Sequence, residues 1–311
     1  MAEFDRPALV QFAQDSISRG SKSFRFASRL FDRTTRERVW LLYAWCRKCD
    51  DMADGQDHGG AMAAVTDPQE SLAAIRTLTA KALAGMPTGE PAFDCLGVVA
   101  RECGITARMA EDVIEGFALD AADWHPRRES DLYQYCYHVA GAVGVMMAVV
   151  MGVPADDDAT LDRACDLGLA FQLANIARDI AEDDAAGRCY LPDDWLAMLD
   201  IAPGEHMKPH NRKKLALMGR WLADEAEQYE ASARVGAAHL PLRARWAVLS
   251  AAGIYGEIAR KVRAADSHAW DQRIFTSRPE KFRWVRKAFV DAVANNPRHM
   301  DRDALWTRTR V

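Results

Sequence analysis

Leu167-Gly168-Leu169-Ala170-Phe171-Gln172-Leu173-Ala174-Asn175-Ile176-Ala177-Arg178-Asp179-Ile180-Ala181-Glu182-Asp183 is the stretch on which the reading of this chain turns. It is apolar nearly throughout, yet Gln172, Asn175, Asp179 and Asp183 recur at i, i+3, i+7 and i+11, which is one stripe of an α-helix. A helix that is apolar on its other faces is buried. Buried polar groups without partners are costly, so the stripe has to face a cavity rather than bulk water. Carboxylate and amide oxygens are hard ligands suited to Mg²⁺, an ion that keeps waters and shares itself between a few carboxylates and substrate phosphates.

A second stripe lies toward the N-terminus. In Leu41-Leu42-Tyr43-Ala44-Trp45-Cys46-Arg47-Lys48-Cys49-Asp50-Asp51-Met52-Ala53-Asp54, the residues Tyr43, Arg47, Asp50, Asp51 and Asp54 fall at i, i+4, i+7, i+8 and i+11. The other faces carry Val39, Leu41, Leu42, Trp45, Cys46 and Cys49. Alone, this segment also reads as the solvated acidic end of an amphipathic helix. A lone DDxxD is weak evidence for a metal, but two such stripes in one helical chain are strong. Metal ions beside an apolar wall suggest a diphosphate carried on a hydrocarbon tail.

Helical periodicity continues almost everywhere, and no segment alternates as a strand does. The pattern predicts helices near 6–17, 35–54, 69–84, 92–103, 106–119, 131–152, 159–184, 211–236, 242–268 and 280–293, with Thr34 and Asp158 as N-caps. Breakers separate them, among them Gly85-Met86-Pro87, Pro154, Gly187, Pro192, Pro203-Gly204 and Pro241. No Pro/Ser-rich linker divides the chain, so a single all-α domain spanning 1–311 is the economical expectation. Apolar residues make up 49% of the 311, enough for a large core.

The seven cysteines are odd in number and mostly sit in helical patterns, which fits a reducing compartment, here the cytoplasm. Cys46-Arg47-Lys48-Cys49 is a CxxC, but no second Cys/His pair follows at zinc spacing. Met1–Arg6 lacks the apolar region of a signal peptide. The longest uncharged apolar run, Val139 to Val153, is 15 residues, too short to span a bilayer. It reads as core or as the lining of a lipid tunnel. Gly141 and Gly144 within it permit close helix approach or leave room for a prenyl chain, and His138 reads as a core histidine. The net charge of −5 is uneven: residues 273–311 carry ten Lys/Arg against four Asp/Glu, net +6, leaving −11 for the rest. That basic C-terminal segment is either a solvated terminal helix or a contact for an anionic membrane surface. No nucleic acid is expected as a partner.

Tyr43-Ala44-Trp45-Cys46-Arg47-Lys48-Cys49-Asp50-Asp51, Tyr135-Cys136-Tyr137-His138-Val139-Ala140-Gly141 and Asn175-Ile176-Ala177-Arg178-Asp179-Ile180 resemble the squalene/phytoene synthase family. Gly187-Arg188-Cys189-Tyr190-Leu191-Pro192 and Ala269-Trp270-Asp271-Gln272-Arg273 extend the resemblance, which runs from about Ser16 to about Lys281. It implies an all-α isoprenoid-synthase-type helical bundle around a central cavity. The implied reaction is head-to-head condensation of two geranylgeranyl diphosphates, through a cyclopropyl diphosphate, to phytoene. It implies that Asp50, Asp51 and Asp54, and Asn175, Asp179 and Asp183, ligate Mg²⁺, with Mn²⁺ as a substitute. Ser21, Ser23, Arg47, Gln172, Arg178, Arg188 and, more loosely, Arg273 match positions that hold diphosphate. Tyr43, Tyr135, Tyr190 and Tyr255 match hydroxyls near the reacting carbons.

Elementary chemistry agrees with these roles. A leaving diphosphate is stabilised by Mg²⁺ and by the bidentate forks of arginine. The carbocation left behind needs a dry pocket and aromatic faces. No Gly-rich dinucleotide fingerprint appears, so no NADPH is expected. The rival within the family is a C30 enzyme making dehydrosqualene or squalene from farnesyl diphosphate. Ser28, being small, leaves room for the longer chain, whereas Trp40 blocks it if turned inward. The rival outside it is a non-catalytic binding protein, against which the intact Asp, Arg and Tyr positions speak. Peripheral attachment to the inner face of the cell membrane, and contact with downstream carotenoid enzymes, follow as expectations.

Overall fold

The computed structural model describes residues 4–20, 27–54, 68–122, 124–297 and 299–310, with Asp54 described by its backbone alone. Among these residues all regular structure is helical. The helices pack as two compact units, one of residues 1–123 and 145–157 and the other of 124–144 and 158–311. The division falls inside the helix Ala142–Val150.

The first unit holds α1 (Arg6–Gly20), α2 (Arg33–Asp54), α3 (Pro68–Leu83), α4 (Pro91–Cys103) and α5 (Ala107–Ala121). Helix α2 packs on α1, α3, α4 and α5, as expected of a helix apolar on most faces. Its Leu41, Leu42 and Trp45 are wholly buried with Ile17, Ile75, Phe93 and Leu96. The Trp45 indole donates to the Thr79 hydroxyl at 3.2 Å, which satisfies both buried polar groups. The N-cap of α2 is Asp32, not Thr34: its carboxylate accepts from the Thr35 amide (3.0 Å) and hydroxyl (2.7 Å). Thr34 lies inside the first turn, because the aspartate two residues earlier captures the free amides.

The second unit contains α6 (Glu129–Cys136), α8 (Asp158–Ala185), α9 (Asp193–Met198), α10 (Arg212–Ala237), α11 (Leu242–Ala265) and α12 (Arg278–Ala294); α7 is Ala142–Val150. Helix α8 carries the second stripe and is packed by α10, α11 and the π-turn Tyr137–Gly141. The single helix expected over 131–152 is therefore interrupted by one wider turn. Asp158 is the first residue of α8 rather than its cap. The short α9, following directly on Pro192, was not anticipated.

Close helix approach is what the glycines provide. A Cβ on Gly144 would lie 2.5 Å from the Ala164 carbonyl oxygen, and one on Gly168 only 2.4 Å from that of Ala140. Both positions need the missing side chain so that the backbones can touch. His138 is buried, with its ring against Tyr137 at 5.0 Å, as a core histidine should be.

The C-terminal segment is not a free basic arm. Residues 299–310 run as a strap along α8, where Arg302 forks onto Asp166, Arg308 pairs with Asp158 and Asp162, and Arg310 pairs with Asp162. Asp162 and Asp166 are buried, so these arginines neutralise interior carboxylates. Arg273 is likewise engaged, with Asp179 and Glu182. Much of the +6 is thereby spent inside the fold. No helix among the described residues is long and apolar enough to cross a membrane.

Candidate active site

The residues singled out by their spacing divide between the two units. In the first unit, helical register brings Tyr43, Arg47, Asp50 and Asp51 to one side of α2. The Arg47 guanidinium straddles both acids: Nε and Nη2 donate to Asp51 at 3.0 and 2.7 Å, and Nη1 lies 2.8 Å from Asp50. Asp51 is nearly buried and Asp50 about half exposed, so the cluster grades outward from interior to solvent. Burial raises the Tyr43 hydroxyl above its ordinary range, with Asp50 and Asp51 adding and Arg47 opposing. It is a neutral donor at physiological pH.

Gly20, the last residue of α1, abuts this hydroxyl. A Cβ there would fall 2.3 Å from the Tyr43 oxygen, so a side chain at this position would displace the tyrosine. Ser21 and Ser23, just beyond it, and the Asp54 side chain lie outside the described residues. Ser28 and Trp40 turn out to be partners, the indole donating to the Ser28 hydroxyl at 3.0 Å. Ser28 is buried, so the two positions named for chain length form one contact. The Cys46 thiol is pushed up to about 12 by burial, and Cys49 further. Thiols held protonated this way are weak nucleophiles and weak metal ligands.

In the second unit, the α8 stripe of Gln172, Asn175, Asp179 and Asp183 stays partly exposed while Leu173, Ala174, Ile176, Ala177 and Ile180 are buried. Asp179 is gripped from two directions. Arg178 donates to it through Nε at 2.6 Å and through Nη2, and Arg273 approaches its other side at 2.9 Å. Arg273 comes from 94 residues away and is steered there by Trp270, whose indole donates to the Ala177 carbonyl at 2.9 Å. Gly219 makes room for that indole.

Asp183 has no such fork. Burial first, and the charge of Asp179 second, push its carboxyl up to about 6, with Arg188 opposing. Arg188 is turned back toward it by the helix end: Gly187 takes φ +75° and the Arg188 amide bonds the Asp183 carbonyl at 2.8 Å. Carboxylate oxygens of this kind are hard donors of the sort Mg²⁺ takes. Among the described residues no three His, Cys, Asp or Glu side chains converge into a self-sufficient metal cage.

Three of the tyrosines named from the sequence sit in aromatic contacts of this unit. Tyr135 stacks on Tyr190 at 4.9 Å and on Trp124 at 5.3 Å, making a three-ring column. Tyr255 stacks on Phe171 at 4.3 Å, its hydroxyl raised by burial against the pull of nearby Arg178. Trp124, Phe171, Trp270 and Gly20 were not picked out from the sequence as site residues. Of these, Trp270 had a signal, since it sits in the quoted Ala269–Arg273 motif.

The sequence profile described as squalene/phytoene synthase matches residues 17–280. A 15-cis-phytoene synthase of Pantoea ananas is 46% identical over 308 residues, covering 98% of this chain and 99% of that protein. Another 15-cis-phytoene synthase, from a Paracoccus species, is 44% identical over 96% of this chain and 98% of its own length. Among solved structures, a dehydrosqualene synthase in complex with ligand superposes with a TM-score of 0.81 at 26% identity, covering 93% of this chain and 98% of that one. A squalene synthase from Alicyclobacillus acidocaldarius, 21% identical with a TM-score of 0.74, covers 85% of this chain and 97% of that one, and shares the fold.

Proposed function

This chain belongs to the squalene/phytoene synthase family, and from that premise we propose that it makes phytoene. Two geranylgeranyl diphosphates are joined head to head (1′-1) through cyclopropyl prephytoene diphosphate. Each half of the reaction releases one diphosphate, and the final cation loses a proton rather than gaining a hydride, so no NADPH is consumed. The carrying observation is 46% identity over nearly the full length to a 15-cis-phytoene synthase, against 26% to the dehydrosqualene synthase.

The chemistry of the side chains supports the roles. Asp50, Asp51 and Asp54 in one motif, and Asn175, Asp179 and Asp183 in the other, would hold Mg²⁺ (or Mn²⁺). When bound, the ion neutralises charge on the departing diphosphate. Arg47, Arg178 and Arg273 now rest on the acids. They exchange those carboxylates for phosphate oxygens, which accept the same bidentate fork. Ser21, Ser23, Gln172 and Arg188 add further donors. Tyr43, Tyr135, Tyr190 and Tyr255 offer π-faces to the carbocation and exclude water from it. With a hydrocarbon product, the protein works at the cytoplasmic face of the membrane as a peripheral protein, in reach of the enzymes that take up phytoene.

The test is to incubate the purified protein with Mg²⁺ and either geranylgeranyl or farnesyl diphosphate, then identify the hydrocarbon. Phytoene from the C20 substrate, and none in the presence of EDTA, is expected. Squalene or dehydrosqualene from the C15 substrate as the main product would overturn the reading.

A further inference from the structure

Helix α12 has two faces of unlike purpose. Its inner face packs on α11, with Ala288 and Ala292 buried and Trp284 lying against Gly253. Its outer face leaves Phe282 71%, Phe289 45%, Val290 61% and Val293 58% exposed, and Phe275, just before the helix, 69%. At 100° per residue, Phe282, Arg286, Phe289 and Val293 fall on one stripe, with Arg278 and Val290 at its edges. The two acids of the helix are on the opposite side: Glu280 pairs with Lys261, and Asp291 with Lys287 and Arg234. The exposed stripe therefore carries apolar and cationic side chains only, with exposed Arg283 and Lys287 on its flank.

Isolated exposed apolar residues mean little, but a contiguous large patch marks a binding surface. We propose that this outer face of α12, with Phe275, is the surface that docks on an anionic lipid bilayer, its phenylalanines inserted at the headgroup level and its arginines on the lipid phosphates. An apolar stripe set among basic residues is the pattern of an interfacial helix. The charge selects the partner: a second copy of the chain would oppose arginine with arginine, whereas anionic lipid complements the face. The inference rests on the reading above only for the reason a membrane is wanted. It also relocates the lipid contact, since the arginines of the terminal strap are occupied within the fold.

The experiment is co-sedimentation of the full chain with phosphatidylcholine vesicles, with and without phosphatidylglycerol, across a salt series. The double variant Phe275→Ser/Phe282→Ser should melt like the parent, because these side chains are 69% and 71% exposed, and Phe289, whose ring lies edge-on to Trp246 at 5.1 Å, is left in place. It should partition about tenfold less onto anionic vesicles at every salt concentration, having lost two aromatic insertions. Arg278→Gln/Arg286→Gln should bind anionic vesicles less at low salt and match the parent at high salt. Parent-like vesicle binding by the phenylalanine variant overturns the proposal. So does a sedimentation-equilibrium result in which the parent is a dimer that this variant splits. Vesicle binding is read without substrate, so it decides the docking face independently of whether phytoene is made.

Discussion

Replacing Arg302 by Met should be among the most damaging single changes in the C-terminal third of the protein. The Arg302 fork places Nε and Nη2 each 2.7 Å from an oxygen of Asp166, and Nη1 3.6 Å from Asp162. Both carboxylates are essentially without solvent contact, at 0% and 1% exposure. Removing one partner of a buried ion pair typically costs about 3–5 kcal/mol, because the remaining charge is left uncompensated. Even with Arg302 present, burial holds the Asp166 carboxyl above its ordinary value, outweighing the arginine and the Ser232 hydroxyl. A raised carboxyl pKa contributes stability that is fully present below the unfolded value and lost as pH rises through the folded one. In Arg302→Met that loss should steepen, so acid should partly rescue the variant. Urea unfolding followed by circular dichroism, at neutral and mildly acidic pH, measures both effects. Asp166→Asn/Arg302→Met should recover much of the loss at neutral pH. A cost under about 1 kcal/mol for the single variant, against the range for buried pairs, or a double variant no better than the single, would refute the reasoning.

Asp183→Asn should abolish turnover while raising the melting temperature of the ligand-free protein above neutral pH. Its folded carboxyl sits at about 6 against an unfolded 3.8, so the wild-type protein loses stability as pH rises through that window. After allowance for solvent screening the loss is roughly 1–2 kcal/mol. Melts against pH should show the advantage of the variant vanishing below the window. Arg47→Lys and Arg188→Lys should each cut the steady-state rate by about tenfold or more, since lysine keeps the charge but loses the fork; unchanged kinetics would make these residues structural. Gly168→Ala should destabilise by about 1–3 kcal/mol through overpacking, because the new methyl meets backbone atoms of Ala140 and Gly141 that cannot swing away; the urea midpoint reports it.

Local physics explains what the sequence alone determined. The 3.6-residue period marks the helices because each one hides an apolar face, and most observed ends fall within a few residues of the expected ones. The same period placed Arg47 beside Asp50 and Asp51, since neighbours on one helix are fixed by the helix itself. The two aspartate motifs were legible for that reason, whereas the fork of Arg178 onto Asp179, between residues adjacent in sequence, was not.

What only the tertiary structure decided depends on contacts distant along the chain. Nothing in the spacing told that Trp270 would hang on the Ala177 carbonyl and carry Arg273 to Asp179. Nor did spacing tell that Gly20 would yield its side-chain space to Tyr43. Composition read residues 273–311 as one basic segment. Packing separated them into strap arginines that neutralise buried aspartates of α8 and a helix whose outer face is left apolar and cationic. Charge adds up along a sequence in the same way whatever the fold, but whether a charge is spent or available depends on which residues it meets in three dimensions.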